Sequence, residues 1–176
     1  MSHQDVPVWG GHTGRPRGQA KSVLDRLERP TDQLFKDGYI ALGWPQVGDL
    51  GRIPNGRGAF RDARIDTYGP NDSSRSNAAD AGMLYRFVHE MQIGDLVVFR
   101  SSVDGLIHIG RVSGPYVYDP SRNEEYHHLR AVEWLGSFDR DEFSANARRT
   151  FKARRSLYQV QSGVDEFRAI VRPSLS

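Results

Sequence analysis

The chain has 176 residues, a formal net charge of +2 and no cysteine, so one domain is expected, and disulfides, cysteine nucleophiles and thiolate zinc sites are excluded. A mean hydropathy of -0.61 and the lack of an apolar run near the roughly 20 residues that cross a bilayer predict no membrane contact. The amino-terminal residues show no signal-peptide pattern, which favours a cytoplasmic protein.

The basic residues are mostly arginines, since lysine occurs only at Lys21, Lys36 and Lys152, and the sequence pI is about 9.0. Arginine makes planar, bidentate contacts with phosphates and guanines. The base composition of the genome explains an arginine excess equally well. The net charge of +2 does not indicate a protein that wraps nucleic acid through charge alone.

A tryptophan and two arginines near the amino terminus are the first candidates for a binding site. After a loose end at residues 1–7, the run VWGG predicts a short strand that carries an exposed or half-buried Trp9. The glycine-rich loop that follows contains Arg15 and Arg17. Such a loop can approach a phosphate closely, although it matches no phosphate-binding fingerprint.

Apolar residues at helical spacing predict several packing helices, of which the one at residues 78–92 is the clearest. Between the helices, the run YIALGW is typical of a buried strand that ends on Trp44, and a loop with Asp49 follows it. The predicted helices span residues 19–28, 31–36, 58–68, 78–92 and 164–171, and a further helix begins within residues 139–146.

Residues 94–135 carry the densest strand signals, and we take them as the central sheet. The apolar runs at 96–99 and 106–112 flank turn residues and predict a hairpin. Gly114 and Pro115 then interrupt the second strand, where a bulge or sharp bend is expected, because proline donates no ladder hydrogen bond.

The last strand of the central sheet alternates, which places His128, Arg130, Val132 and Trp134 on one face. A binding surface explains this mixture of basic, aromatic and apolar groups. A barrel rim or an amphipathic edge strand explains it as well, and for Trp134 a buried ring that holds strands together is the favoured interpretation. A closing strand is predicted at residues 156–160.

Laid end to end, the segments GYIALGWPQVGDL, MLYRFVHEMQIGDLVVF, IGRVSGPYVY and HLRAVEW resemble the amino-terminal domain of Mrr-type, modification-dependent restriction endonucleases, which is related to EVE, YTH and other PUA-like domains. The resemblance covers about residues 39–167. It implies an α+β fold, a partly open β-barrel of five or six strands flanked by helices. One such domain is expected over residues 1–176, with loose ends at 1–7 and 172–176.

The resemblance also implies a function. Domains of this type hold one flipped nucleobase, usually a methylated one, in an aromatic pocket at the mouth of the barrel. Unstacking a base costs a few kcal/mol, and stacking on aromatic rings returns about 1–3 kcal/mol per base. The residues expected to line the pocket are Trp44, Trp9, Tyr116, Tyr118 and Asp49, although a turn-capping role is the favoured interpretation of Asp49 and of Asp95.

Arginines at the rim are expected to grip the nucleic-acid backbone and to supply affinity that does not depend on sequence. A cationic cluster near the carboxyl terminus is interrupted by Phe151 and suits this role. The predicted backbone contacts are Arg15, Arg17, Arg148, Arg149, Lys152, Arg154 and Arg155.

Catalytic motifs are missing from the sequence. The six histidines form no H-E-x-x-H pair, no serine stands in a G-x-S-x-G elbow, and the paired acids lack the lysine of magnesium-dependent nucleases. We therefore expect a recognition module without catalytic residues, metal or cofactor, whose partners are modified double-stranded DNA and a separate nuclease domain or subunit. An RNA-binding PUA-like module and a small metal-dependent hydrolase are the alternatives.

Overall fold

A computed structural model describes residues 5–12, 31–70, 73–101 and 104–172. The strands are β1 (Val8–His12), β2 (Tyr39–Leu42), β3 (Leu96–Arg100), β4 (Ile107–Tyr118), β5 (His128–Phe138) and β6 (Leu157–Gln159). The α-helices are α1 (Asp32–Lys36), α2 (Arg57–Tyr68), α3 (Ser74–Tyr85), α4 (Ala145–Arg148) and α5 (Val164–Ile170). The helix expected at residues 19–28 lies outside the described residues.

The six strands form one curled sheet in the order β2-β5-β4-β3-β1-β6. Neighbouring strands are antiparallel, except that β1 runs parallel to β3 and lies between β3 and β6. Helices flank this half-barrel, so the predicted α+β class with a partly open barrel is confirmed. Because the order begins with β2 and ends with β6, these are the two free edges of the curled sheet.

The central strand β3 is buried on both faces, which explains its continuous apolar run. Leu96 and Val98 pack into a core that α4 and α5 cover. Val97 and Phe99 pack into the other core, which α1, α2 and α3 cover. Each face of the sheet therefore has its own hydrophobic core.

The bend expected at Gly114 and Pro115 is confirmed. Val112 pairs with Val132 and Tyr116 pairs with Arg130, so three residues of β4 stand opposite Ala131 alone. Extra residues of this kind bend a strand and increase its twist. The bend separates the straight part of the β4–β5 hairpin from the end that carries Tyr116 and His128.

The helix predicted at residues 78–92 changes its winding before it ends. The α-helix stops at Tyr85, and a π-helical turn spans Arg86–Glu90. The buried side chain of Arg130 donates hydrogen bonds to the carbonyl oxygens of Phe87 and Met91, both at 3.0 Å. Widened turns expose carbonyls that need such partners. Arg130 is thus a structural group on the inner face of β5.

Two further boundaries differ from the sequence-based expectation. The helix expected to begin within residues 139–146 is replaced by two short elements. A 3-10 turn spans Arg140–Glu142, where Asp139 and Glu142 make a capping box, and the helix α4 begins only at Ala145. Part of the loose end expected at residues 1–7 is anchored, since the carbonyl oxygen of Pro7 accepts a hydrogen bond from the Leu96 amide at 3.0 Å. None of the helices in the described ranges is long and apolar enough to cross a membrane.

Gly110 lies where β4 and β5 approach most closely, and its replacement tests this packing. A Cβ atom there would stand 2.5 Å from Val132 Cγ1 and 2.8 Å from the Glu133 carbonyl oxygen. We expect Gly110→Ala to lower the free energy of unfolding by about 2–3 kcal/mol. Gly58 in α2 has open space around it, so Gly58→Ala should raise it by about 0.5–1 kcal/mol. Equal urea midpoints for the two variants would contradict this account.

Candidate functional site

Trp44 has an unusual backbone. With φ 60° and ψ 54° it is the one non-glycine residue in the described ranges with a positive φ. A left-handed conformation costs an L-residue about 1–2 kcal/mol, so the surroundings must hold it. The strand predicted to reach Trp44 ends at Leu42 for this reason, since a left-handed residue cannot continue a ladder.

The group that holds Trp44 is a fully buried histidine. His128 is 0% exposed, and its Nε2 lies 3.1 Å from the Trp44 carbonyl oxygen. A carbonyl only accepts hydrogen bonds, so Nε2 carries the proton and Nδ1 is left as an acceptor. The Tyr116 hydroxyl, 2.8 Å from Nδ1, is then the donor. Its oxygen in turn accepts a hydrogen bond from the Leu50 amide at 3.1 Å.

Both titratable groups of this chain of hydrogen bonds are held neutral. Burial lowers the pKa of His128 below its ordinary 6.5, and the nearby His127 acts in the same direction. Burial also raises the pKa of Tyr116 far above its ordinary 10.0. At neutral pH the imidazole is therefore uncharged and the phenol keeps its proton, as the hydrogen-bond directions require.

Aromatic rings surround His128. The Tyr116 ring stacks on the imidazole with centroids 5.9 Å apart, and the Tyr118 ring lies tilted at the same distance. Trp44 and Tyr118 are half-buried, and Trp44 packs against the edge of the core that α1, α2 and α3 cover. We call the group of Trp44, Tyr116, Tyr118 and His128 the aromatic site.

A carboxylate stands beside the aromatic site. Asp49 Oδ1 accepts a hydrogen bond from the Gly51 amide at 2.9 Å, so the turn-capping role is confirmed. Its Oδ2 is 3.9 Å from Arg52 Nε, and its negative charge acts on Tyr116 and His128. Four of the five predicted pocket residues are thus brought together.

Trp9 is the predicted pocket residue that lies elsewhere. It is 2% exposed in the core, and its Nε1 donates to Asp95 Oδ2 at 2.9 Å. The expectation of an exposed or half-buried ring is wrong, because β1 is an inner strand of the sheet, between β3 and β6, and covered on both faces. Trp9 therefore offers a base no open face.

The three tryptophans differ in how their indole N–H groups are used. Trp9 donates to Asp95, and Trp134 donates to the Phe35 carbonyl oxygen at 3.2 Å. Trp134 also packs against the Phe35 and Phe99 rings, which confirms its expected structural role. The indole N–H of Trp44 makes no hydrogen bond with any residue that the structure describes. Trp44 alone has a half-buried ring with a donor left for a ligand.

The predicted basic contacts of the carboxyl-terminal region form an exposed segment. Phe151 is buried in the core and anchors it, and Arg100 donates to the carbonyl oxygens of Phe151 and Ala153. We call Arg148, Arg149, Lys152, Arg154 and Arg155 the cationic segment.

Most side chains of the cationic segment have no carboxylate partner in the part of the chain that the structure describes. Arg148 lies 3.9 Å from Asp141. Among the described residues, the other four side chains are exposed and have no carboxylate partner, namely Arg149, Lys152, Arg154 and Arg155. Arg15 and Arg17, the remaining predicted contacts, lie outside the described residues.

A small cavity separates the cationic segment from the strand that leads to Trp44. Its volume is about 10 Å³, room for one water molecule and far less than a base. Its wall includes Leu42, two residues before Trp44, and Ser156, the residue after Arg155. The aromatic site and the cationic segment are therefore each within two residues of the wall of the same cavity.

Two features were not found from the sequence. His128 was one of the motif positions of the resemblance, but its partner Trp44 is 84 residues away, and no spacing rule connects them. The left-handed backbone of Trp44 was missed because that conformation is rare outside glycine. In the part of the chain that the structure describes, no three histidine, aspartate or glutamate side chains lie close enough to hold a metal ion.

Comparison with known proteins gives one match. A family described as a domain of unknown function (DUF8426) matches residues 25–161, which is more than half of the chain. No curated protein and no solved structure matches the chain.

Proposed function

The chain belongs to the DUF8426 family, whose function is unknown, and we propose that it is a DNA-binding specificity module that recognises a methylated base. The base is flipped out of the duplex and stacks at the aromatic site. The cationic segment holds the backbone. Cutting is assigned to a separate nuclease domain or subunit, and the module itself performs no catalysis.

One observation carries this proposal: Trp44 is half-buried, its indole N–H has no hydrogen-bond partner among the described residues, and its left-handed backbone accepts a hydrogen bond from a buried neutral histidine. Strained backbone is maintained where a function needs the side chain in one place. An indole presented in this way supplies a stacking surface, and a methyl group is sensed only by an apolar or aromatic wall.

The polar groups at the site that can still form hydrogen bonds determine which ligand groups can bind there. Tyr116 and His128 already satisfy each other and the backbone. The groups that remain are the Trp44 N–H, the Tyr118 hydroxyl and the Asp49 carboxylate, of which Tyr118 has no hydrogen bond within the described ranges. One donor, one hydroxyl and one acceptor match the mixed edge of a nucleobase better than a purely apolar ligand.

The cationic segment accounts for affinity rather than for selectivity. Arginine and lysine side chains without carboxylate partners displace counterions from phosphates, and this contribution does not depend on the base sequence. The proposal thus separates two tasks: the aromatic site distinguishes the modified base, and the cationic segment binds any duplex.

The test is a titration of the purified chain with three labelled duplexes of one sequence, which carry one N6-methyladenine, one 5-methylcytosine or no modification. Fluorescence anisotropy at fixed salt should show one methylated duplex bound at least about tenfold more tightly than the plain duplex, because stacking contributes about 1–3 kcal/mol per base. Equal affinity for all three duplexes would remove the claim of modification reading. Stronger binding of single-stranded RNA would favour an RNA-binding module instead.

A further inference from the structure

We propose that His128 is a positioning residue: the hydrogen bond from its Nε2 to the Trp44 carbonyl oxygen helps to hold Trp44 in its left-handed conformation, with the ring placed for a ligand. The inference rests on the proposed function in that it concerns the same site. The hold itself is a property of the free protein, so it can be tested without any nucleic acid.

Two donors reach the Trp44 carbonyl oxygen: the Val47 amide at 3.3 Å, within the same turn, and His128 Nε2 from the distant strand β5. The Trp44 side chain also packs against the core that α1, α2 and α3 cover. The inference concerns the donor from β5. His128 Nε2 is 3.1 Å from the Trp44 carbonyl oxygen, whereas the Trp44 side chain has no polar partner among the residues that the structure describes. A left-handed tryptophan relaxes toward an ordinary conformation unless its peptide group is fixed. The bond is directed, because His128 cannot rotate while Nδ1 accepts from Tyr116 at 2.8 Å.

Two substitutions of His128 distinguish its hydrogen bond to Trp44 from the space that its side chain fills. In His128→Gln the terminal amide nitrogen occupies the place of Nε2 and still donates to the Trp44 carbonyl, but it cannot be protonated. In His128→Asn the amide reaches only the place of Nδ1, and the donor to Trp44 is lost. Each variant thus keeps a polar group at one of the two nitrogen positions of the imidazole: His128→Gln at the one that donates to Trp44, and His128→Asn at the one that accepts from Tyr116.

The experiment records the indole N–H resonances of ¹⁵N-labelled protein, in which Trp44 is identified by its absence from Trp44→Phe. We expect the Trp44 resonance to keep its position in His128→Gln and to move in His128→Asn. Unmoved Trp9 and Trp134 resonances show that each variant is folded.

The positioning role of His128 and the recognition of a methylated base can fail independently of each other. A Trp44 resonance that stays in place in His128→Asn, or that moves in His128→Gln, overturns the inference. Should His128→Asn fail to fold, His128→Gln decides alone, because it keeps only the donor to Trp44. If Trp44 moves as expected, the hold is established, and affinity for the methylated duplex should fall about tenfold in His128→Asn, the effect of one hydrogen bond. If methylated and plain duplexes bind equally well, the proposed function fails and the hold stands.

Discussion

Replacing Trp44 with alanine should abolish the preference for a methylated duplex over a plain one. The indole is the one tryptophan ring in the chain that is both half-buried and without a hydrogen bond to a described residue. Stacking of a base on such a ring is worth about 1–3 kcal/mol, so the affinity for the methylated duplex should fall about 10- to 100-fold. The affinity for the plain duplex should hardly change, since phosphate contacts lie elsewhere.

The matched control for this prediction is Trp44→Phe, which keeps an aromatic surface and removes the indole N–H. Affinities for methylated and plain duplexes would be measured by anisotropy for the unmodified chain and for both variants. The phenylalanine variant should retain most of the preference. If alanine and phenylalanine lose it equally, the ring surface is not what recognises the base. If neither loses it, Trp44 is not part of the site.

Removing the cationic segment should weaken binding to every duplex and flatten its salt dependence. Each phosphate contact contributes about 0.9 to the slope of log affinity against log salt, so replacing Arg149, Lys152, Arg154 and Arg155 with glutamine should lower the slope by up to about 3.6. The four side chains are exposed and lack ion pairs with described residues, so the fold should tolerate the change. The ratio between methylated and plain affinities should stay the same.

A charge-matched pair tests whether the effect is local. Arg154→Gln with Arg155→Gln removes two charges beside the cavity wall, and Arg61→Gln with Arg75→Gln removes two exposed charges from α2 and α3. Both pairs leave the same net charge. Slopes measured between about 50 and 200 mM salt should differ only for the first pair, and equal changes would show that binding responds to net charge alone.

The strand pattern of the sequence was enough to identify the sheet, because local signals were consistent there. The apolar run of β3, the hairpin with β4 and the break at Gly114 and Pro115 each correspond to a physical requirement of a ladder. The alternation along β5 also placed His128, Arg130 and Trp134 on one inner face.

The roles of residues on that face could not be predicted, because they depend on partners far away in the sequence. Each of them donates a hydrogen bond to a distant backbone carbonyl: Arg130 to Phe87 and Met91, Trp134 to Phe35, and His128 to Trp44. All three residues were consistent with a binding surface and with a packed interior. Only the depth of burial distinguishes a binding surface from a packed interior, and burial depends on which helix covers the strand.

The placement of Trp9 failed for a related reason. Its neighbours Gly10 and Gly11 suggest an exposed loop, but Gly10 is required because a Cβ atom there would lie 2.2 Å from the Tyr158 ring. The glycines accommodate close strand packing rather than flexibility. Nothing near Trp9 in the sequence shows that β1 would be inserted between two strands from much later in the chain.

The position of β1 between β3 and β6 has a kinetic consequence. Its partners lie about 90 and 150 residues further along, at Leu96–Arg100 and Leu157–Gln159, and such distant pairings are slow to form. During synthesis β1 cannot pair with both neighbours until residues 157–159 have left the ribosome. Completion of the sheet is therefore a late event, and until then the apolar edge of β3 is open to association with other nascent chains.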